Sequence, residues 1–293
     1  MDKAIRQLTP NEFPKALLEI PEPPEKLYIR GELPSEDNIF LTVVGSRRYT
    51  SYGKEACEKL IGGLKGYPVV IVSGLALGID SIAHKKALEV GLTTVSFPGS
   101  GLSSAVLYPA SNAKLADLIE KSGGCLLSEF ESDFNATQYS FPQRNRLMAG
   151  ISKAILIIEA QEKSGTLITA RLGLDYNRDI LAVPGRIDSL TSKGTNRLIR
   201  QGAVPITCTE DLLEALGFEI KASEEKQQKL FAECSDDEKK VLEILIEPRS
   251  RDELIRELSA NRQMPTPTAN ALLSIMELKD LIKEVSGLIQ RNL

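Results

Sequence analysis

The stretch FLTVVGSRRYTSYG, Phe40 to Gly53, decides the fold. Its first half is apolar and β-branched with no polar alternation, the pattern of a strand covered on both faces. The run stops at Gly45, and Arg47 and Arg48 follow at once. A small residue at the end of a parallel strand lets backbone N–H groups approach an anion, and the helix that follows offers its positive end. The turn therefore reads as a phosphate-holding loop at the top of a parallel sheet.

Working outward, the same design repeats. Apolar runs lie at VVIVSG (69–74), TTVSFPG (93–99), GCLLSEF (124–130), AILIIEA (154–160), DILAVPG (179–185) and AVPIT (203–207). Helix-length segments separate them, with apolar residues at i, i+3/i+4 spacing such as Ala113, Leu115, Leu118 and Ile119. Strands alternating with helices throughout predict an α/β fold, a doubly wound, mainly parallel sheet over 39–218. Residues 1–38 are Pro-rich, with Pro23 and Pro24 adjacent, and read as an arm packed on this domain in which KLYIRGEL forms a short strand and turn. Residues 219–235 are polar and charged, a linker. Within 236–293, three short helices and two runs around Ser286-Gly287 suggest a small winged-helix domain.

Composition narrows the chemistry. The 293 residues include a single histidine, His84, which excludes a triad or metal site needing two and reads as a structural residue. Cys57, Cys125, Cys208 and Cys234 are far apart with no CxxC pair, as expected of free thiols in a reducing cytosol. No apolar run approaches membrane-spanning length, and the first residues lack a signal-peptide core. Trp is absent and aromatics are 5%, against a module that reads bases mainly by stacking. The net charge of −4 hides an asymmetry: Gln138–Arg200 holds ten basic and five acidic residues, Glu219–Leu293 twelve and fifteen. A basic middle and an acidic tail point to different partners.

Cofactor fingerprints fail on spacing. GSRRYTSYG has Arg47 where a dinucleotide loop needs its second glycine, and PGSGLSS has Ser104 at the third. No P-loop pattern occurs, and no cofactor or metal is expected. The carboxylates near strand ends are Asp80, Glu129, Glu159 and Glu162; Asp80, after a GxxxGID turn, reads as a capping or orienting group. Arg47, Arg48, Arg144, Arg146, Lys163, Lys193 and Arg197 all fall near the same sheet edge, and arginine holds phosphate bidentately.

VVGSRRYTSYG, IVSGLALGIDSIAHKKAL, FPQRNRLMAGIS, SGTLITARLGLDYNRDILAVPG and GTNRLIRQGA together resemble the DNA-processing protein A family, also called DprA or Smf, from about Pro23 to Leu216. The resemblance implies an extended Rossmann-like domain that binds single-stranded DNA at its strand ends and has no catalytic activity. It implies loading of RecA onto that DNA during natural transformation, with displacement of single-strand-binding protein. A homodimer is implied through the late part of the domain, near NRLIRQGAVPI. Carried over, Gly45, Ser46, Arg47 and Arg48 would grip a phosphate and Ser73 and Gly74 would line the pocket. Arg144, Asn145 and Arg146 would form a second grip with Phe141 against a base. Lys163, Ser164, Gly165 and Thr166 would add donors, and Lys193, Gly194, Thr195 and Asn196 would close the far wall. One departure is Gln143, where members often carry a basic residue, with Arg144 or Arg146 as the nearest replacements.

Two other readings stay open on sequence. A nucleotide N-glycosidase of the lysine-decarboxylase-like kind shares a related sheet and places a catalytic Glu after a PGGxGT loop; the nearest match here, SGTLITARLG, has Arg171 on the following helix. A protein–protein scaffold led by the winged helix is the other, since TPTANALLSIMELK (266–279) holds only Lys279 as a basic residue. Partner docking or internal packing suits that helix better than duplex reading.

Overall fold

The structure is a computed structural model and describes residues 5–219, 234–262, 264–279, 281–285 and 287–291. Two compact units divide at Glu219 and Ile220. Most of the expected linker lies outside the described residues.

All seven apolar runs form strands: β3 (Ile39–Val44), β4 (Val69–Ser73), β5 (Thr94–Ser96), β6 (Cys125–Ser128), β7 (Ala154–Ile157), β8 (Asp179–Ala182) and β9 (Val204–Pro205). Two strands from the N-terminal segment, β1 (Arg6–Gln7) and β2 (Tyr28–Gly31), join them in one nine-stranded sheet of order β1-β2-β6-β5-β4-β3-β7-β8-β9. The arm is thus part of the sheet: β2 runs antiparallel to β6 and covers its edge, while β3 to β9 pair in parallel.

Burial follows the pattern read from sequence. Five of the six β3 residues and all of β4 are buried, because helices cover both faces. On one face Phe40, Val44, Val72, Ile155 and Ile157 pack with Leu17 of α1 (Lys15–Leu18), Leu147 and Met148 of α5 (Ser140–Ile151), Ala170 of α6 (Thr166–Asp175) and Leu198 of α7 (Lys193–Arg200). On the other, α2 (Ser51–Gly62), α3 (Ile79–Val90), α4 (Ala113–Lys121) and α8 (Thr209–Ala215) follow one another. The strands step outward from β3 to β6, and the chain then returns to lay β7 against the other side of β3. That reversal opens a crevice beyond the carboxyl ends of β3 and β7, where such sheets take their ligands.

The second unit contains α9 (Asp236–Ile244), β10 (Arg249–Ser250), α10 (Arg251–Arg262), α11 (Thr266–Leu278), β11 (Ile282–Val285) and β12 (Leu288–Arg291). A three-stranded antiparallel sheet of order β10-β12-β11 with three helices in this succession is a winged helix. Val241, Leu254, Leu273, Met276 and Ile289 are among the residues of its own core. Lys279, the basic residue at the end of α11, is paired with Glu238 at 2.7 Å.

Candidate functional site

The crevice is an open cleft of about 430 Å³. Ten of the residues expected from sequence line it: Gly45, Ser46, Arg47, Arg48, Phe141, Arg144, Asn145, Ser164, Gly165 and Thr166. They come from the loop after β3, the first turns of α5, and the start of α6.

The loop after β3 is fixed by close packing. A Cβ on Gly45 would stand 2.7 Å from Ile79 of α3. Gly78, at φ 87°, lies directly beneath the loop, and a Cβ there would meet the Ser46 carbonyl oxygen at 2.3 Å and the Arg47 Cα at 2.7 Å. The Ile79 N–H donates to that carbonyl at 3.2 Å. The Ser46 hydroxyl turns inward, accepting from the Arg48 N–H at 3.0 Å and donating to the Arg48 carbonyl at 2.8 Å. Arg47 and Arg48 are left exposed. The Arg47 guanidinium stands 5.3 Å from the centre of the Phe141 ring, within cation–π range.

The two arginines of FPQRNR differ from the second grip expected of them. Arg144 is buried; its Nη1 donates to the carbonyls of Gly74, at 2.5 Å, and of Phe97. Gly74 is small because a Cβ there would strike that guanidinium at 2.2 Å. Burial lowers the Arg144 pKa to about 10, opposed by the nearby Asp80 charge. Asp80 is itself buried and accepts from the Gly74 N–H at 3.1 Å; burial raises its pKa, with Arg144 opposing. Arg146 is ion-paired with Glu129 against a separate cavity behind Pro142. Burial raises the Glu129 pKa, and Arg146 opposes it. Arg144 thus ties the ends of two strands, β4 and β5, to α5, and Arg146 faces away from the main cleft.

The β7 side is organised by Glu159, which is 1% exposed. It accepts from the Thr50 N–H at 3.0 Å, the Thr50 hydroxyl at 2.6 Å and the Thr191 hydroxyl at 3.1 Å. Thr50 in turn caps α2 by accepting from the Gly53 N–H. Thr166 donates to the Gly45 carbonyl at 3.2 Å, across the crevice. Lys163 is exposed outside the cleft lining. The expected far wall is not brought in. Gly194 packs on Ala160, Thr195 donates to the Ser192 carbonyl, and the Asn196 amide bonds both backbone groups of Gly185. Only Lys193 of that group is exposed. Ser73 is buried, donating to the Val43 carbonyl at 2.7 Å. Gly74 lines a small adjoining cavity.

Sequence reasoning passed over Gln138, Gln161, Ile168 and Thr169, which also line the cleft. Polar and apolar residues on loops and helix starts carry no periodic signal; only their nearness to Phe141 and Ser164 marks them. The cleft holds three arginines against a single acidic residue, Asp80, already engaged by the Gly74 N–H. The arrangement suits an anion. It presents no pair of free carboxylates for acid–base work.

This is a Rossmann-like α/β protein with an arginine-lined cleft at its topological switch point. The model of the DNA recombination-mediator protein A family matches residues 5–217, and the chain belongs to that family. It is 40% identical to protein Smf of Escherichia coli over 206 residues, which is 70% of this chain and 54% of that protein's length. The structure of DNA processing protein A from Streptococcus pneumoniae superposes with a TM-score of 0.68 at 36% identity, covering 74% of this chain and 75% of that one. The Helicobacter pylori protein, studied for its single-stranded DNA binding mode, gives 0.66 at 34%, covering 74% and 98%. The chain thus spans about half the length of the E. coli relative.

Proposed function

We propose that the cleft binds single-stranded DNA and that the chain is a recombination mediator which protects the strand and loads RecA onto it during natural transformation. The observation that carries this is the pair Arg47 and Arg48, exposed on a loop that Gly78 fixes at the switch point. Two charged arginines, one of them held against the Phe141 ring, grip a backbone without reading sequence. The single-stranded DNA binding of the H. pylori relative supports the reading. Arg144 serves here as a positioning residue, while Ser164, Gly165 and Thr166 form one wall of the crevice, with the Ser164 and Thr166 hydroxyls donating within the protein.

The chain acts without a cofactor or a catalytic step in this reading. The N-glycosidase alternative has nothing in its favour: Arg171 is exposed on α6 and Asp80 is engaged. RecA is the partner, single-strand-binding protein is displaced, and the place of action is the cytoplasm. A homodimer through the α7–β9 region fits the open edge of β9, where Val204 is 45% exposed. The test is competition between single- and double-stranded oligonucleotides across salt, for wild type and Arg47→Ala. Wild type prefers single strands with a steep salt slope, and the variant loses affinity and part of the slope. Unchanged binding by Arg47→Ala at low salt rules the cleft out. RecA filament growth on protein-coated strands, with and without this chain, tests the loading step.

A further inference from the structure

A second, smaller cavity opens off the cleft on the β4–β5 side. Arg47, Ala76, Phe141 and Arg144 line both. Its outer wall is Leu77 and Tyr108, which are 51% and 47% exposed. Single exposed apolar side chains need no account, but these two flank a row that starts at the phosphate loop. The Arg47 guanidinium lies 5.3 Å from the Phe141 ring centre, and the Tyr108 ring centre lies 5.6 Å from Phe141 with planes tilted at 53°.

The row is held in place. The Tyr108 N–H donates to the Ser100 hydroxyl at 3.2 Å, and its neighbour Leu107 is buried. The buried Asn112 amide donates to the Leu75 carbonyl at 2.7 Å and to the Ser81 hydroxyl at 2.8 Å, which ties the two loops together. Leu75 has φ 57°, a left-handed conformation unfavourable for a residue with a Cβ. Its side chain is fully buried, so the core enforces that conformation, and Leu77 two residues on stands exposed. Strained backbone beside a site persists only where its surroundings over-determine it.

We infer that Tyr108 is a base-stacking residue. A strand gripped at Gly45–Arg48 leaves the cleft over Phe141, and the next base lies on the Tyr108 ring against Leu77. The inference rests on the single-stranded DNA reading above and adds a direction: the strand exits toward β5, not past Lys163. It also selects single strands, since bases paired in a duplex have their faces covered by one another.

The test is a titration of the full chain by fluorescence anisotropy with oligo-dT and with an abasic sugar–phosphate oligomer of equal length. Tyr108→Ala is expected to weaken oligo-dT by roughly 5- to 100-fold and leave the abasic oligomer unchanged. Its salt slope stays at the wild-type value because no phosphate contact is lost. Tyr108→Phe keeps the ring and binds within about twofold of wild type. The chain has no Trp, so Tyr108→Trp introduces a sole indole, whose emission oligo-dT quenches and the abasic oligomer does not. If Tyr108→Ala binds oligo-dT normally, or weakens both oligomers alike, while Arg47→Ala still loses binding, the stacking role is wrong and the phosphate grip stands. If Arg47→Ala also binds normally, the cleft assignment itself falls.

Discussion

Replacing Gly78 by alanine perturbs the phosphate loop without touching a charge. Gly78 sits at φ 87°, ψ −134°, a region that residues with a Cβ rarely adopt. Forcing alanine into it costs about 1–3 kcal/mol. The added Cβ also stands 2.3 Å from the Ser46 carbonyl oxygen and 2.7 Å from the Arg47 Cα, both backbone, so the loop itself must shift. Overpacking of this kind costs a further ~1–3 kcal/mol. A combined loss of about 2–6 kcal/mol lowers the melting temperature of a unit this size by roughly 4–24 °C. The control is Gly91→Ala, at the end of α3. Gly91 has φ 81°, but nothing lies within 4 Å of its Cβ position, so only the conformational cost of about 1 kcal/mol remains. Denaturant unfolding measures stability, and oligo-dT anisotropy reads the loop. Gly78→Ala is expected to lose most of its binding with Arg47 still present, while Gly91→Ala binds normally. Equal stability losses in the two variants would refute the packing of the loop on α3.

Further outcomes follow from other parts of the fold. His84 is fully buried, its Nδ1 bonded to the Thr94 hydroxyl, and burial holds its pKa down to about 3. The unfolded chain takes up that proton near pH 6.5, so below this the unfolded state binds more protons and stability falls as pH falls. Urea unfolding at pH 7.5 and 5.0 is expected to differ by about 2 kcal/mol, and His84→Gln to remove that part of the difference. Glu159→Ala strands the donors of Thr50 and Thr191 and costs about 3 kcal/mol by denaturant titration; it also loosens the loop that carries Arg47. A chain shortened to residues 1–219 is expected to keep single-stranded DNA affinity within a few-fold, because the cleft lies wholly in the first unit. Loss of binding in that titration sets the winged helix at the centre instead.

The parallel sheet was legible because strands buried on both faces read as unbroken apolar runs, as VVIVS does in β4. The first strand was not: Arg6 and Gln7 are polar and exposed, and only backbone pairing with Tyr28 and Ile29 makes them β1. For the cleft, Gly45 to Arg48 and Ser164 to Thr166 were readable as small and charged residues at strand ends. The fates of Arg144 and Arg146 were half readable. They are two positions apart on α5, which turns them to opposite sides of a helix. That phase indicates they cannot share one phosphate, but not that Arg144 would be drawn inward by the carbonyls of Gly74 and Phe97. The role of Gly194 to Asn196 was hidden for a similar reason: a phosphate loop and a loop that braces its neighbours use the same small and polar residues.

The antiparallel cap on β6 also orders events in time. Tyr28 of β2 faces Ser128 of β6, so about 100 residues separate the partners. On a ribosome the capping strand emerges first and waits, at roughly 5–20 residues per second, about 5–20 s for its mate. Meanwhile β1 and β2 alone are too small to be stable. The parallel strands β3, β4 and β5 are laid down in neighbouring positions as they appear. The strands made before the rest of this sheet are therefore among the last to dock on that flank, and an amide exchange pulse during refolding should find Ile29 and Arg30 protected only once Leu126 and Leu127 are.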